Sequence, residues 1–535
     1  MNILGYIHRL RDAFSYKFII LLFIVQCFVK GICFVVMTQG MMPLFKYLGV
    51  DAIGLQVFGA LALSPWTVKP LVGVISDLIA VDGYHKKYWM LLAIVMGVAG
   101  GGIWMVVEIH IPIAISIFLM CIHFEIAVCD LFTEAQSAKM MRENPTTGSD
   151  IVTLSTAFQN LGFIIGMSFI GPLADLQLFR VSSIITLVLL VTPVIPVMLG
   201  WLREERKVPS PWVLLDTKRL RKDWKIVLLV SLTGISAPAM GVISAFSYKW
   251  LGLSCSVIVI ALACVGGFVF MPHPLIGRVA LYQVLAQSSR ISFSSALDYF
   301  FTADAVCLPG GPAFSYKFYI MIAGIVGAAA AFATSFVYQG VFSRWNYRNV
   351  LLFTTILSGV GGIFDFAIVR RWNLAIGIPD AIFFVIGDDV LASVVDNLYW
   401  IPSSSIIGKV CPEGMEACVY AYLAGVSNFG RMISIITGAM LLEWFDIRTI
   451  IGSSSTSTRG ISFVQNTTTN TTCNWQGLDW LILFGHIGVM MAISIPASFL
   501  IPTVPQNVDL LKPTTEETEP ARILDFDEQS ENVEL

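Results

Sequence analysis

Six carboxylates lie inside two strongly apolar stretches: Glu125, Asp130 and Glu134 in one, Asp388, Asp389 and Asp396 in the other. A charge at mid-bilayer costs about 2.5–3.5 kcal/mol on insertion scales, so each needs a cation, a proton or a water-filled space. Such groups can bind protons, hold basic side chains or accept hydrogen bonds from a donor-rich molecule. Asp130 and Glu134 are four residues apart and share a helix face, whereas Glu125 points about 140° away from Asp130. Asp388 and Asp389 are adjacent and point about 100° apart, so only one of them readily faces a central space. The other needs a proton or a partner. Basic residues at comparable depth are few: Lys30, Lys69, Arg290 and Arg431. Gln26, Gln283, Gln287, Asn397 and Asn428 add amides able to donate and accept.

The elements that must carry these groups are helices long enough to cross a bilayer, which takes about 20 apolar residues each. Fourteen such segments are expected, at 18–42, 50–76, 88–108, 111–138, 151–174, 180–202, 225–248, 252–272, 278–303, 316–342, 349–369, 376–406, 415–444 and 478–501. The bulk composition agrees, with 56% hydrophobic and 13% charged residues over 535 positions, about half the roughly 25% charge of a soluble domain. Mean hydropathy is +0.77. Those values exclude a soluble enzyme with one anchor. No basic face suits nucleic acid, and no phosphate loop, His-Glu-x-x-His or nucleophile elbow is present. No cofactor, no metal and no catalytic residue is therefore expected. No short apolar stretch with a small-residue cleavage site precedes the first span, so that helix is expected to act as its own signal anchor.

Orientation follows from basic residues. With the N-terminus inside, 21 of the 33 lysines and arginines fall in inside segments and 8 in outside segments. The long outside loop at 445–477 holds two glycosylation sequons, at Asn466 and Asn470. Cys307 and Cys473 both fall in outside loops, where a disulfide is chemically possible. The expected organisation is all-α and polytopic. A six-helix half at 1–202 is followed by a basic cytoplasmic linker at 203–224 and two inserted helices within 225–272. A second six-helix half at 278–502 and a disordered acidic cytoplasmic tail at 503–535 complete it. The halves echo one another. Asp130, Pro145, Asp150 and Asn160-Leu161-Gly162 are matched in order by Asp396, Pro412, Glu416 and Asn428-Phe429-Gly430.

The second span ends in Lys69-Pro70-Leu71-Val72-Gly73-Val74-Ile75-Ser76-Asp77, followed by Gly83 and Lys86-Lys87. Small residues allow close helix approach, and an Asp beside a helix end can cap or pair with it. Lys69, Gly73 and Asp77 are therefore expected to act as a conformational latch, with Lys69, the deepest of them, snorkelling toward the inner interface.

The chain resembles the folate-biopterin transporter family of the major-facilitator superfamily. The resemblance rests on Lys69-Pro70-Leu71 with Gly73 and Ser76-Asp77, and on the Asp130/Glu134 helix running into Arg142-Glu143-Asn144-Pro145-Thr146-Thr147-Gly148-Ser149-Asp150. It rests also on Leu297-Asp298-Tyr299-Phe300 with Gly310-Gly311-Pro312, and on Lys409-Val410-Cys411-Pro412-Glu413-Gly414-Met415-Glu416-Ala417. Two of these runs look most like kinetoplastid members. Where members often have a second acid close before the fourth-helix Asp, this chain has Glu125 at another spacing. The resemblance implies alternating-access import of folate or unconjugated pterins at the plasma membrane, with both termini cytoplasmic. S-adenosylmethionine is the alternative cargo, and a receptor or sensor on a transporter scaffold is the alternative of another class. Lys30, Glu125, Asp130, Glu134, Arg290, Asp298, Asp388, Asp389, Asp396 and Arg431 are the expected binding or coupling residues. Because acids outnumber bases, protons are expected to be coupled to transport.

Overall fold

The computed structural model describes residues 14–107, 110–143, 148–206, 212–245, 249–411, 416–449, 473–506 and 510. Asn466, Asn470 and nearly all of the acidic tail lie outside these residues, as do Asn144–Thr147 and Pro412–Met415.

The spanning helices are numbered here in chain order. They are α1 (Tyr16–Tyr47), α2 (Ala52–Leu78), α3 (Lys87–Val106), α4 (Pro112–Glu143), α5 (Gly148–Asp175) and α6 (Phe179–Met198). Next come α7 (Thr217–Ala245), α8 (Lys249–Phe270), α9 (Pro274–Ser288) and α10 (Ser294–Phe301). The last are α11 (Lys317–Gly340), α12 (Tyr347–Val369), α13 (380–409), α14 (Glu416–Trp444) and α15 (Leu478–Ser498). Among the described residues, twelve helices are long and apolar enough to cross a membrane. The two other expected spans are helical as well. The α9–α10 pair is interrupted, and α13 carries Asp380, Asp388, Asp389 and Asp396.

The interruption corrects the expectation of one continuous helix at 278–303. Residues 289–293 leave the helical path, which in a membrane is tolerated only where protein re-satisfies the freed backbone groups. Three side chains do so here. Gln56 of α2 donates to the Ser292 carbonyl at 2.8 Å. His486 of α15 lies 2.8 Å from the Ile291 carbonyl through Nδ1, and Ser434 of α14 donates to the Arg290 carbonyl.

Packing between distant parts of the chain is reciprocal. Helix α2 lies against α14, and α5 lies against α11. If the inserted pair is set aside, each contact joins a second helix to a fifth one. Close approach also binds α1 to α5, because a Cβ at Gly31 would sit 2.7 Å from the Gly162 Cα. Helices α7 and α8 pack on each other, α7 on α2 and α8 on α9 and α14.

At one end of the bundle Cys307 and Cys473 are disulfide-bonded. Near this end Lys46 donates to the Thr302 carbonyl at 2.8 Å. Asp175, closing α5, accepts from the backbone N–H groups of Tyr316 and Lys317 at 3.0 and 2.9 Å, capping α11. At the opposite end the linker is more ordered than a basic loop would be. Its residues Val213–Leu215 pair antiparallel with Ile79–Val81, and Glu204 accepts from the N–H groups of Lys86 and Lys87 that open α3.

Candidate functional site

Helices α1, α2 and α4 bring four ionisable side chains into one buried knot. Asp130 is fully buried and accepts Lys69 Nζ at 2.6 Å, Lys30 Nζ at 2.9 Å and Gln26 Nε2 at 3.0 Å. Glu134, one turn further along α4, lies 3.4 Å from Lys30 and 3.5 Å from Lys69. Two ammonium groups thus meet two carboxylates. Aromatic rings complete the shell, with Trp66 4.6 Å from Lys69 and Trp400 of α13 5.3 Å from Lys30. Ions buried in this way hold their charge only while every partner is present. The expected snorkelling of Lys69 does not occur, because a buried double partner outcompetes the interface: only 2% of its side chain is exposed. Glu134 joins the same knot and is 11% exposed.

Glu125 stands apart. It is fully buried with neither carboxylate oxygen hydrogen-bonded, and it packs on Gly97 of α3. The 140° separation from Asp130 turns it toward a different neighbour, so it does not join the acids that its helix shares with it. Gly73 is buried near the end of α2, and Asp77 is half-buried and engaged by a partner. Their role as a latch is an expectation that these positions fit.

The other half presents its charges differently. Arg290 sits in the break between α9 and α10. Its guanidinium lies 4.8 Å from the Tyr399 ring, its Nε has no hydrogen-bond partner, and its contact with Asp396 is a loose 3.9 Å. The Asp396 side chain is 80% exposed although it lies within α13. Its neighbours on the helix wheel are Tyr399, which donates to Gln283 of α9 at 2.7 Å, and Trp400, which meets Lys30. Asp396 therefore faces the centre of the bundle rather than its rim. Arg431 of α14 is exposed and has no ion pair or hydrogen bond among the described residues. Asn428, three residues earlier, donates to the Trp66 carbonyl at 3.0 Å across the two halves.

Nearer the disulfide end lies a group of acids. Asp298 of α10 accepts from the Tyr319 hydroxyl at 2.5 Å. Asp388 lies close to Asp365 of α12, and Asp389 keeps one buried oxygen without a partner. Among the described residues no lysine or arginine pairs with these four carboxylates. Asp388 and Asp389 fall in a π-helical segment, Val385–Leu391, a local widening of the sort found at functional sites.

Sequence reasoning missed Asp365, Gln56, His486 and the helix break itself. The run Ser288-Ser289-Arg290-Ile291-Ser292-Phe293-Ser294-Ser295 was the available signal. Serines compete for backbone hydrogen bonds and weaken a helix, but no Gly or Pro marked the place. Asp365 was legible only as one acid in an apolar span.

Buried charges, a discontinuous helix and two halves meeting along the bundle define a polytopic membrane transporter of major-facilitator-like fold rather than an enzyme. Solved structures share the architecture. A POT family transporter in complex with 5-aminolevulinic acid superposes with TM-score 0.61 at 12% identity, covering 90% of this chain and 96% of that one. The human organic anion transporter MFSD10 (TETRAN) gives 0.52 at 13%, covering 92% and 99%.

The chain belongs to the BT1 family, whose model matches residues 30–521. It is 24% identical to probable folate-biopterin transporter 6 of Arabidopsis thaliana, over 73% of this chain and 69% of that protein. It is 21% identical to the folate-biopterin transporter of Synechocystis, over 75% and 70%. Folate transporter 1 of Plasmodium falciparum is 23% identical over 70% and 63%.

Proposed function

We propose that this transporter imports folate and unconjugated pterins across the plasma membrane by alternating access, coupled to protons. The observation that carries the reading is the pair of carboxylates on α13, Asp389 and Asp396, both without a full set of partners, with Trp400 one turn beyond Asp396. A pterin offers a two-donor edge, its 2-amino group and N3–H, that a carboxylate accepts in a bidentate manner. Its flat ring suits the tryptophans. The names of the family relatives point to the same cargo.

Proton coupling is supported by the four acids that no base among the described residues neutralises. In a membrane such a group moves most easily when protonated, and Asp365 and Asp388 lie close together, where two negative charges would repel. The duplicated halves, 1–202 and 278–502 with 225–272 inserted between them, are supported by the reciprocal α2–α14 and α5–α11 contacts. Cytoplasmic termini and glycan at Asn466 or Asn470 follow from the basic bias and the sequons. The disulfide at the proposed outer end suits an oxidising compartment.

The surplus of acids also favours a cationic cargo, S-adenosylmethionine, as a second reading. Accumulation of labelled folic acid, biopterin and S-adenosylmethionine in cells lacking all three uptake routes tests the proposal. Concentrative uptake of folic acid or biopterin supports it. Uptake of S-adenosylmethionine alone replaces it with the second reading, and binding without accumulation indicates a sensor.

A further inference from the structure

The two arginines at the centre of the second half, expected to bind or couple, have no close carboxylate partner among the described residues. Lys30 and Lys69 are committed to Asp130 and Glu134. Arg290 is held by packing on Tyr399 rather than by a close ion pair. Arg431 has no partner among the described residues.

Arg431 belongs to a stripe of α14 that faces inward. Tyr420, Ser427, Arg431 and Ser434 recur at helical spacing. Tyr420 meets Ser404 of α13 at 3.2 Å, Ser427 donates to Gln283 of α9 at 3.4 Å, and Ser434 donates to the Arg290 carbonyl. The exposed Arg431 guanidinium therefore opens into the space between α9, α13 and α14, about one turn from the helix break. A guanidinium inside a membrane protein without a carboxylate is costly to keep. Planar forks of this kind match carboxylates bidentately.

We propose that Arg290 and Arg431 receive a carboxylate of the cargo, so that the carrier selects conjugated, glutamate-bearing pterins over unconjugated ones. The inference rests on the reading of the cargo as folate or a pterin. Asp389 lies seven residues before Asp396 on α13, about 10 Å along the helix and on the same face, and one of its oxygens is buried without a partner. A molecule with a donor edge at one end and carboxylates at the other, joined by an aminobenzoyl bridge, spans that separation. Biopterin meets only the acid end, and S-adenosylmethionine brings a sulfonium cation toward two arginines.

The test is uptake of labelled folic acid and of labelled biopterin by cells lacking both routes, normalised to surface protein. Wild type is compared with Arg431→Gln, Arg431→Lys and Arg290→Gln. The expected result is a fall of about tenfold or more in the folate-to-biopterin uptake ratio for Arg431→Gln, with part of it restored by Arg431→Lys, which keeps the charge and loses the fork. p-Aminobenzoylglutamate, which has the carboxylates and no pterin, should compete with folate in wild type and lose that competition in Arg431→Gln. Arg290→Gln should lower the ratio in the same direction. An unchanged ratio, or folate and biopterin uptake lost in equal measure, overturns the inference. Wild-type uptake of biopterin alone overturns it and leaves the pterin reading standing. Wild-type uptake of neither cargo removes both.

Discussion

Apart from Glu125, which is buried without a hydrogen-bond partner in the first half, the two halves of this transporter treat buried charge in opposite ways. In the first half Lys30, Lys69, Asp130 and Glu134 satisfy one another within 3.5 Å. In the second, Arg290 and Asp396 are 3.9 Å apart, and among the described residues Arg431 stands alone and Asp298, Asp365, Asp388 and Asp389 pair with no lysine or arginine. A neutralised knot is expected to hold helices in place, with little left to offer a ligand. Unbalanced groups in the opposite half are the ones a cargo or a proton can complete.

The contrast breaks most severely if the knot is dispensable. Replacing Lys69 with Met leaves Asp130 buried with only Lys30 and Gln26. Removing one partner of a buried pair costs about 3–5 kcal/mol, so surface expression and detergent melting temperature should both fall sharply. Adding Asp130→Asn to Lys69→Met should recover part of that loss, because one cation then faces the single anion Glu134. No loss in the single variant would mean that the knot is not structural.

A smaller effect separates the second half. Asp389→Asn and Asp396→Asn keep side-chain volume and remove charge, so the protein should reach the membrane at wild-type levels while uptake falls about tenfold, or about 1.4 kcal/mol. Reduced expression in parallel with reduced uptake would make these acids structural, like Asp130.

The finest distinction is the response to pH. Protonating the uncompensated acids neutralises them and frees the loaded carrier to reorient. Uptake should therefore rise as external pH falls from about 7.5 to about 5.5 and collapse with a protonophore. Asp365→Asn removes one of two neighbouring acids and should flatten that dependence more than any change in the knot. A pH profile that Asp365→Asn leaves intact would move the proton site elsewhere.

Much of this was legible in the sequence. Apolar length placed most of the spans and the presence of separate helices α7 and α8, although Lys249-Trp250, the expected interruption, opens α8 instead. The i, i+4 spacing of Asp130 and Glu134 predicted a shared face, and the 140° offset of Glu125 predicted its separation. Pairing partners were not legible, because Lys30 and Lys69 reach Asp130 from helices whose rotation is set by packing of small residues such as Gly31 and Gly162. The break at Arg290 was hidden for a related reason. It is held open by Gln56, Ser434 and His486 from three other helices, and no local signal records a distant hydrogen bond.

The central claim is that the first half holds and the second half binds. Initial uptake of labelled folic acid per surface molecule, measured side by side for Asp396→Asn and Lys69→Met, tests it most directly. The account predicts an Asp396→Asn protein at wild-type abundance with uptake about tenfold lower, and a Lys69→Met protein scarce at the surface. Wild-type uptake per molecule by Asp396→Asn, with Lys69→Met abundant and inactive, would reverse the assignment and place the cargo in the first half.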